Sequence, residues 1–144
     1  MDQFGYVILD RGGRLTAARS LDEMQQLLAD GKIPVWLPSA LAIPASDIPA
    51  SWDITSDSLA AWLAGKLGAE ALILIKQTDA FSERDDVDSL MARGVIDAGF
   101  AGMLPAGIDF RLAGPQDAVQ AGAKLVAGRL PGVRIAEAAM QRAG

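Results

Sequence analysis

The sequence predicts an α/β protein, a three-layer α/β/α sandwich around an open, mostly parallel sheet. Three observations predict it. The runs Ile33-Pro34-Val35-Trp36-Leu37 and Ala71-Leu72-Ile73-Leu74-Ile75 are short and apolar, and a long helical pattern separates them. The second run is apolar at every position, as in a strand covered on both faces of a parallel sheet. Strand-like pieces alternate with helical pieces of about ten residues along the chain, the arrangement that right-handed crossovers join. With 144 residues, 51% hydrophobic and 22% charged, the chain is expected to form one domain over 1–144. A domain of that length buries about 70% of the surface that its unfolded chain exposes.

Each element has its own reason. Residues 1–9 read as the end of an amphipathic helix stopped near Gly12 and Gly13. Residues 15–19 form a short strand candidate. Leu21, Met24, Leu27 and Leu28 fall at helical spacing, and Gly31 ends that helix. Pro34 suggests that the first residues of the next strand lie outside its ladder. Pro38, Pro44 and Pro49, with Ser39 and Ser46, mark a connection. The best-defined helix follows, with Leu59, Trp62, Leu63 and Leu67 on one face and Gly68 as its stop. Thr55 or Ser56 is expected to cap its start through the side-chain oxygen. Helical pieces are expected near 86–92 and 95–103, a strand at 108–112, a helix at 115–128 and a last short strand at 133–135.

Composition excludes more than it proves. Without Cys there is no disulfide, thiolate nucleophile or Cys-held zinc, and without His there is no Ser-His-Asp arrangement and no His-held metal. Chemistry falls to carboxylates, Lys and Arg, hydroxyls, backbone amides or a bound cation held by oxygen ligands. A net charge of −5, with no two basic residues adjacent, argues against a nucleic-acid partner. No apolar run comes near the ~20 residues of a membrane span. The first ten residues lack a basic segment followed by an apolar one, so the expected location is the cytoplasm.

Two segments could carry chemistry, because ligands of open α/β sheets sit outside the carboxyl ends of the strands. In Trp52-Asp53-Ile54-Thr55-Ser56-Asp57, Asp57 reads either as a first-turn acid that complements the helix dipole or as the group that orients a Lys or a phosphate-bound magnesium. In Lys76-Gln77-Thr78-Asp79, a cation and an acid follow a buried strand directly. The acids Glu83, Asp85, Asp86 and Asp88 read as a solvated helix start. The three tryptophans, Trp36, Trp52 and Trp62, read as core or interface anchors. No metal-ligand set stands out.

Taken together, Ser56-Asp57-Ser58-Leu59-Ala60-Ala61, then Leu67-Gly68-Ala69-Glu70, then the strand and Thr78-Asp79-Ala80, resemble the carboxyl-terminal, nucleotide-binding half of the amino acid kinase superfamily. The fuller string, Val35-Trp36-Leu37-Pro38 and Ile48 to Asp57, resembles most the aminomethylfuran-methyl phosphate kinase-like small-molecule kinases, and the chain as a whole also resembles the uridylate kinase-like members. Weaker agreement runs through Gly94-Val95-Ile96-Asp97 and Gly132-Val133-Arg134-Ile135. The resemblance implies ATP-dependent phosphoryl transfer to a small-molecule acceptor, with Mg-ATP. Asp57 matches the catalytic aspartate that organises a phosphate-contacting Lys. Lys76, Thr78, Asp79 and Asp85 match nucleotide-binding positions. Ala80 stands where the family has Gly, and no Lys lies in the stretch 94–103. Members begin with a strand carrying Lys-x-Gly-Gly/Ser, and nothing like it precedes the helix at 1–9. The chain is therefore expected to lack the acceptor-binding half. It would be a fragment, a natural half-kinase, or one completed by a second copy or by a chain that supplies the amino-terminal half. Two other readings remain open: a non-catalytic nucleotide- or small-ligand-binding regulatory domain, and a self-associating structural subunit.

Overall fold

The computed structural model describes residues 1–137. The chain divides into two compact units that part after Ser51, immediately past the three-proline connection. Helices and strands alternate in both, which makes this an α/β protein.

In the first unit, helix α1 (Asp2–Leu9) leads to strand β1 (Leu15–Ala18), helix α2 (Leu21–Ala29), strand β2 (Ile33–Trp36) and the short helix α3 (Ser39–Ala42). β1 and β2 pair in parallel, with Leu15 opposite Ile33 and Ala18 opposite Trp36. Ser20 starts α2 by accepting the Glu23 N–H at 3.2 Å, while the Glu23 carboxylate accepts the Arg19 N–H at 2.6 Å. The first bond satisfies a donor that the first turn leaves orphaned, and the second ties Glu23 back to the residue before the cap. Ala18, Met24 and Leu37 are fully buried beneath it. Asp2 accepts both the hydroxyl and the backbone N–H of Ser39, at the start of α3. Those two hydrogen bonds hold its carboxyl below the ordinary aspartate value.

Pro34 lies inside the β2 ladder, opposite Thr16, and not before it. The reason is the alternation of backbone donors along a strand. Ile33 and Leu37 donate to Arg14 and Ala18 at 2.9 Å each, so the N–H that Pro34 lacks would point to the other edge. α3 was not legible either, since its four residues sit between prolines that read as a plain connection.

The second unit holds α4 (Ser56–Leu67), β3 (Ala71–Ile75), α5 (Val87–Ala92), α6 (Phe100–Met103), β4 (Asp109–Ala113), α7 (Pro115–Val126) and β5 (Val133–Arg134). β3 and β4 are parallel, Ala71 facing Asp109 and Ile75 facing Ala113, while β5 adds antiparallel to β4. Phe100 and Phe110 meet with ring centroids 4.8 Å apart in a core that also holds Leu74, Leu90 and Leu112. Asp86 starts α5 by accepting the Ser89 N–H at 2.9 Å, and the Asp86 N–H donates to the Ser89 hydroxyl at 3.1 Å. One acid of the run 83–88 thus has a capping role.

The single open sheet expected to contain both β2 and β3 is found, among the described residues, as two ladders, β1-β2 and β3-β4-β5. An apolar run of five residues identifies a strand but not its partner; β2 is claimed by β1 through a short βαβ unit. The helix expected over 95–103 shrinks to Phe100–Met103 because Asp97 and Gly99 are drawn into contacts with the start of α4, described below. Of the tryptophans, Trp62 is buried with the Lys66 ammonium 5.2 Å from its ring centroid, Trp36 is half-buried, and Trp52 is 98% exposed and anchors no core.

α4 ends as its sequence predicts. Gly68 takes φ +63° and ψ +38°, and the Ala69 N–H returns to the Ala64 carbonyl at 2.9 Å. Because a side chain in that left-handed conformation costs roughly 1–2 kcal/mol, Gly68→Ala is expected to lower the unfolding free energy by about that amount. Chemical denaturation of the two proteins measures it; coincident curves would mean that α4 terminates elsewhere.

Candidate functional site

β3 and β4 run parallel, so their carboxyl ends lie side by side. α4 precedes β3 and runs back along it, which brings the first turn of α4 to that same edge. α7 begins one residue after β4, also there. Four chain segments therefore converge, two of them presenting helix N-termini.

Lys76 is the first residue past β3. Its N–H donates to the Ala113 carbonyl at 2.8 Å, which extends the ladder by one bond and fixes its backbone. Its ammonium meets Asp57 Oδ2 at 2.6 Å, with the side chains only 18% and 13% exposed. Asp57 sits in the first turn of α4, where the positive end of the helix dipole also favours its charge. A pair so withdrawn from water persists only with good geometry, because each ion has lost most of its hydration.

The capping of α4 is the main difference from expectation. Thr55 is the N-cap residue, yet its side chain accepts nothing from the helix. The acceptor is Asp97, from the connection between α5 and α6. Its Oδ2 takes the N–H groups of Thr55 and Ser58, each at 2.9 Å, and its Oδ1 takes the Thr55 hydroxyl. Burial pushes the Asp97 carboxyl up, but the hydrogen bonds from the Thr55 hydroxyl and from the Ser58 and Thr55 amides outweigh it, and the net direction is down.

Thr78 and Asp79 follow Lys76. The Thr78 hydroxyl accepts the Ala80 N–H at 3.1 Å and shapes its own turn. Asp79 Oδ1 faces the Gln116 N–H, in the first turn of α7, at 3.4 Å. Gly114 makes this approach possible: a Cβ there would overlap the Asp79 carboxylate and lie 2.8 Å from the Thr78 carbonyl oxygen. Asp85 belongs to a different arrangement. It pairs with Arg93 at 2.7 Å and accepts the Ser82 N–H at 2.7 Å, while Arg93 also donates to the Ala80 carbonyl at 3.3 Å. Its observed contacts tie down the loop after Asp79.

Of the five residues singled out from sequence, Asp57 and Lys76 are thus brought into direct contact. Thr78 and Asp79 adjoin them along the chain and meet α7, and Asp85 is engaged with the loop. Sequence reasoning missed Asp97 and Gly114. An N-cap supplied from about forty residues away leaves no local signal, and a glycine at a strand-to-helix junction reads as an ordinary turn. Among the described residues, no three His, Cys, Asp or Glu side chains gather as a metal cage. Magnesium does not need one, since it is commonly held by one or two carboxylates, phosphate oxygens and water.

The sequence profile of the amino acid kinase family matches residues 7–97, well over half of the chain and all of the residues from Asp57 to Asp97 discussed above. The chain belongs to the amino acid kinase family, which makes a kinase-like phosphotransfer role its general context. No curated protein and no solved structure gives a significant match. No helix among the described residues is long and apolar enough to cross a membrane.

Two outcomes are expected of this geometry. Gly114→Ala must displace the Thr78–Asp79 turn and should cost about 1–3 kcal/mol, the usual scale of overpacking; thermal unfolding of the variant reads it. Asp97, with its folded value depressed, stabilises the fold fully above the ordinary aspartate value of about 3.9, and that contribution is lost as pH falls through the folded value. The gap in melting temperature between the parent and Asp97→Asn should therefore narrow as the pH is taken below about 4. A gap independent of pH would show that the charge of Asp97 has no part in the cap.

Proposed function

We propose that this chain is the nucleotide-binding half of an ATP-dependent kinase that phosphorylates a small-molecule acceptor. The observation that carries the reading is the Lys76–Asp57 pair at the carboxyl end of β3, 2.6 Å apart and largely out of water. Phosphoryl transfer asks little covalent chemistry of a protein and depends on positioning and on neutralising charge. A chain without His or Cys can meet those demands.

In this reading Asp57 is the catalytic residue that orients the Lys76 ammonium toward the phosphate oxygens of the nucleotide. Thr78 and Asp79 form the turn beside the nucleotide, and Asp85 holds the following loop through Arg93. Magnesium bound with the nucleotide supplies further neutralisation of phosphate charge. The stretch from Ile48 to Asp57 supports a place near the uridylate kinase-like and aminomethylfuran-methyl phosphate kinase-like branches. In this reading the acceptor is bound by other residues of the assembled enzyme, with a second copy or a chain carrying the amino-terminal half as the partner. The exposed Phe4, Val7 and Ile8 of α1 favour such a partner. The reading places the protein in the cytoplasm.

Calorimetric titration of the chain with MgADP and MgATP tests the nucleotide site: saturable binding that Lys76→Met abolishes is expected, and no binding by the parent would overturn the reading. The role of Asp57 is read in an active assembly. Asp57→Asn keeps an oxygen near the ammonium and removes the charge, and turnover per folded molecule is expected to fall about a hundredfold, the scale of losing one preorganised electrostatic group. A purely structural Asp57 would instead cost stability alone, through the helix-dipole contribution of roughly 0.3–1 kcal/mol and the Lys76 charge left unpaired, with no loss of turnover per folded molecule.

A further inference from the structure

We infer that Asp97 is a positioning residue for this site: through the first turn of α4 it sets the placement of Asp57 against Lys76. The inference deepens the kinase reading and rests on it for its functional meaning, but the geometry stands by itself. One carboxylate collects three donors from α4's start, the Thr55 N–H and Ser58 N–H at 2.9 Å and the Thr55 hydroxyl. Asp57 lies between those two residues. Its backbone is therefore bracketed on both sides by hydrogen bonds to a single group, and the chain cannot rotate there without breaking one of them.

The bracket is itself anchored. Two residues on from Asp97, the Gly99 N–H donates to the Asp53 carbonyl at 2.9 Å. The next residue, Phe100, is fully buried against Phe110, the residue of β4 that pairs with Leu72 of β3. Hence Asp97 refers the start of α4 to the same β3-β4 ladder that fixes the backbone of Lys76. A Thr55 or Ser56 cap acting alone would hold the helix end without tying it to the connection that Phe100 packs against β4.

The test separates placement from simple helix stability. The ammonium of Lys76 is followed by 1H–15N correlation of the lysine side chains in the full chain, assigned with Asp57→Asn and Lys76→Met. Asp97→Asn is expected to remain folded by circular dichroism and to move the Lys76 signal toward its place in Asp57→Asn. Its MgADP dissociation constant should rise roughly tenfold or more, as expected when positioned groups shift by a fraction of an ångström. Gly68→Ala weakens the same helix from its other end and is expected to leave the Lys76 signal in place. The inference is overturned if Asp97→Asn leaves that signal unmoved, or if Gly68→Ala moves it as far. If Asp97→Asn fails to fold, Thr55→Val, which removes one of the three donors, is expected to give a smaller displacement in the same direction, and no displacement overturns the inference. Failure of the parent to bind MgADP would remove the nucleotide reading and leave the Lys76 measurement to decide the role of Asp97.

Discussion

An ammonium and a carboxylate that have lost most of their water must be held in register by everything around them, and the Lys76–Asp57 pair imposes that constraint on the second unit. The pair gains from its 2.6 Å contact only while both ends stay fixed; a shift of either leaves a half-buried charge without its partner. Lys76 is fixed by the last bond of the β3-β4 ladder. Asp57 is fixed by a helix whose own end needs holding. The surrounding packing, with Phe100 against Phe110 and Leu112 beneath, keeps these two supports at constant distance.

The start of α4 carries two carboxylates, Asp57 and Asp97, at one helix end. The dipole and the freed N–H groups there favour negative charge, but two acids so near one another also repel. Dividing the work relieves the conflict. Asp97 takes the backbone donors of Thr55 and Ser58, whereas Asp57 turns to Lys76, so each carboxylate has its own partners. The depressed titration of Asp97 is the electrostatic trace of that arrangement. Protonating it would weaken both amide bonds together, which links acid stability to the placement of the neighbouring ion pair.

The sequence was most legible where the signal is local. The apolar run at 71–75, the helical spacing of Leu59, Trp62 and Leu63, and the stop at Gly68 each depend on neighbours within a few residues, and the structure has β3 and α4 there. The nearness of Asp57 and Lys76 was legible only through strand direction, since the helix before a parallel strand starts at that strand's carboxyl end. What could not be read is non-local. The partner of β2 depends on its pairing with β1 across an intervening helix, the cap of α4 on a residue some forty positions away, and the exposure of Trp52 on packing that its side chain does not find. Pro34 misled for a simpler reason, because a missing N–H matters only on the edge it faces.

The two helix N-termini at this edge make it look well suited to phosphate, but their donors are largely committed. In α4, Asp97 already accepts from Thr55 and Ser58. In α7, Pro115 brings no N–H to the first turn, and the Gln116 N–H faces Asp79. A phosphate approaching this edge therefore meets fewer free backbone donors than two helix starts would ordinarily offer. Its counter-charge has to come from a side chain, and Lys76 is the cation that the fold brings to the edge, already oriented by Asp57. In the proposed function the ion pair is then more than a structural bond. In the proposed reading, with several backbone amides at these helix starts already taken, the affinity for an anionic ligand depends on where a single ammonium is held, and Asp57, Asp97 and the β3-β4 ladder are the supports that surround it.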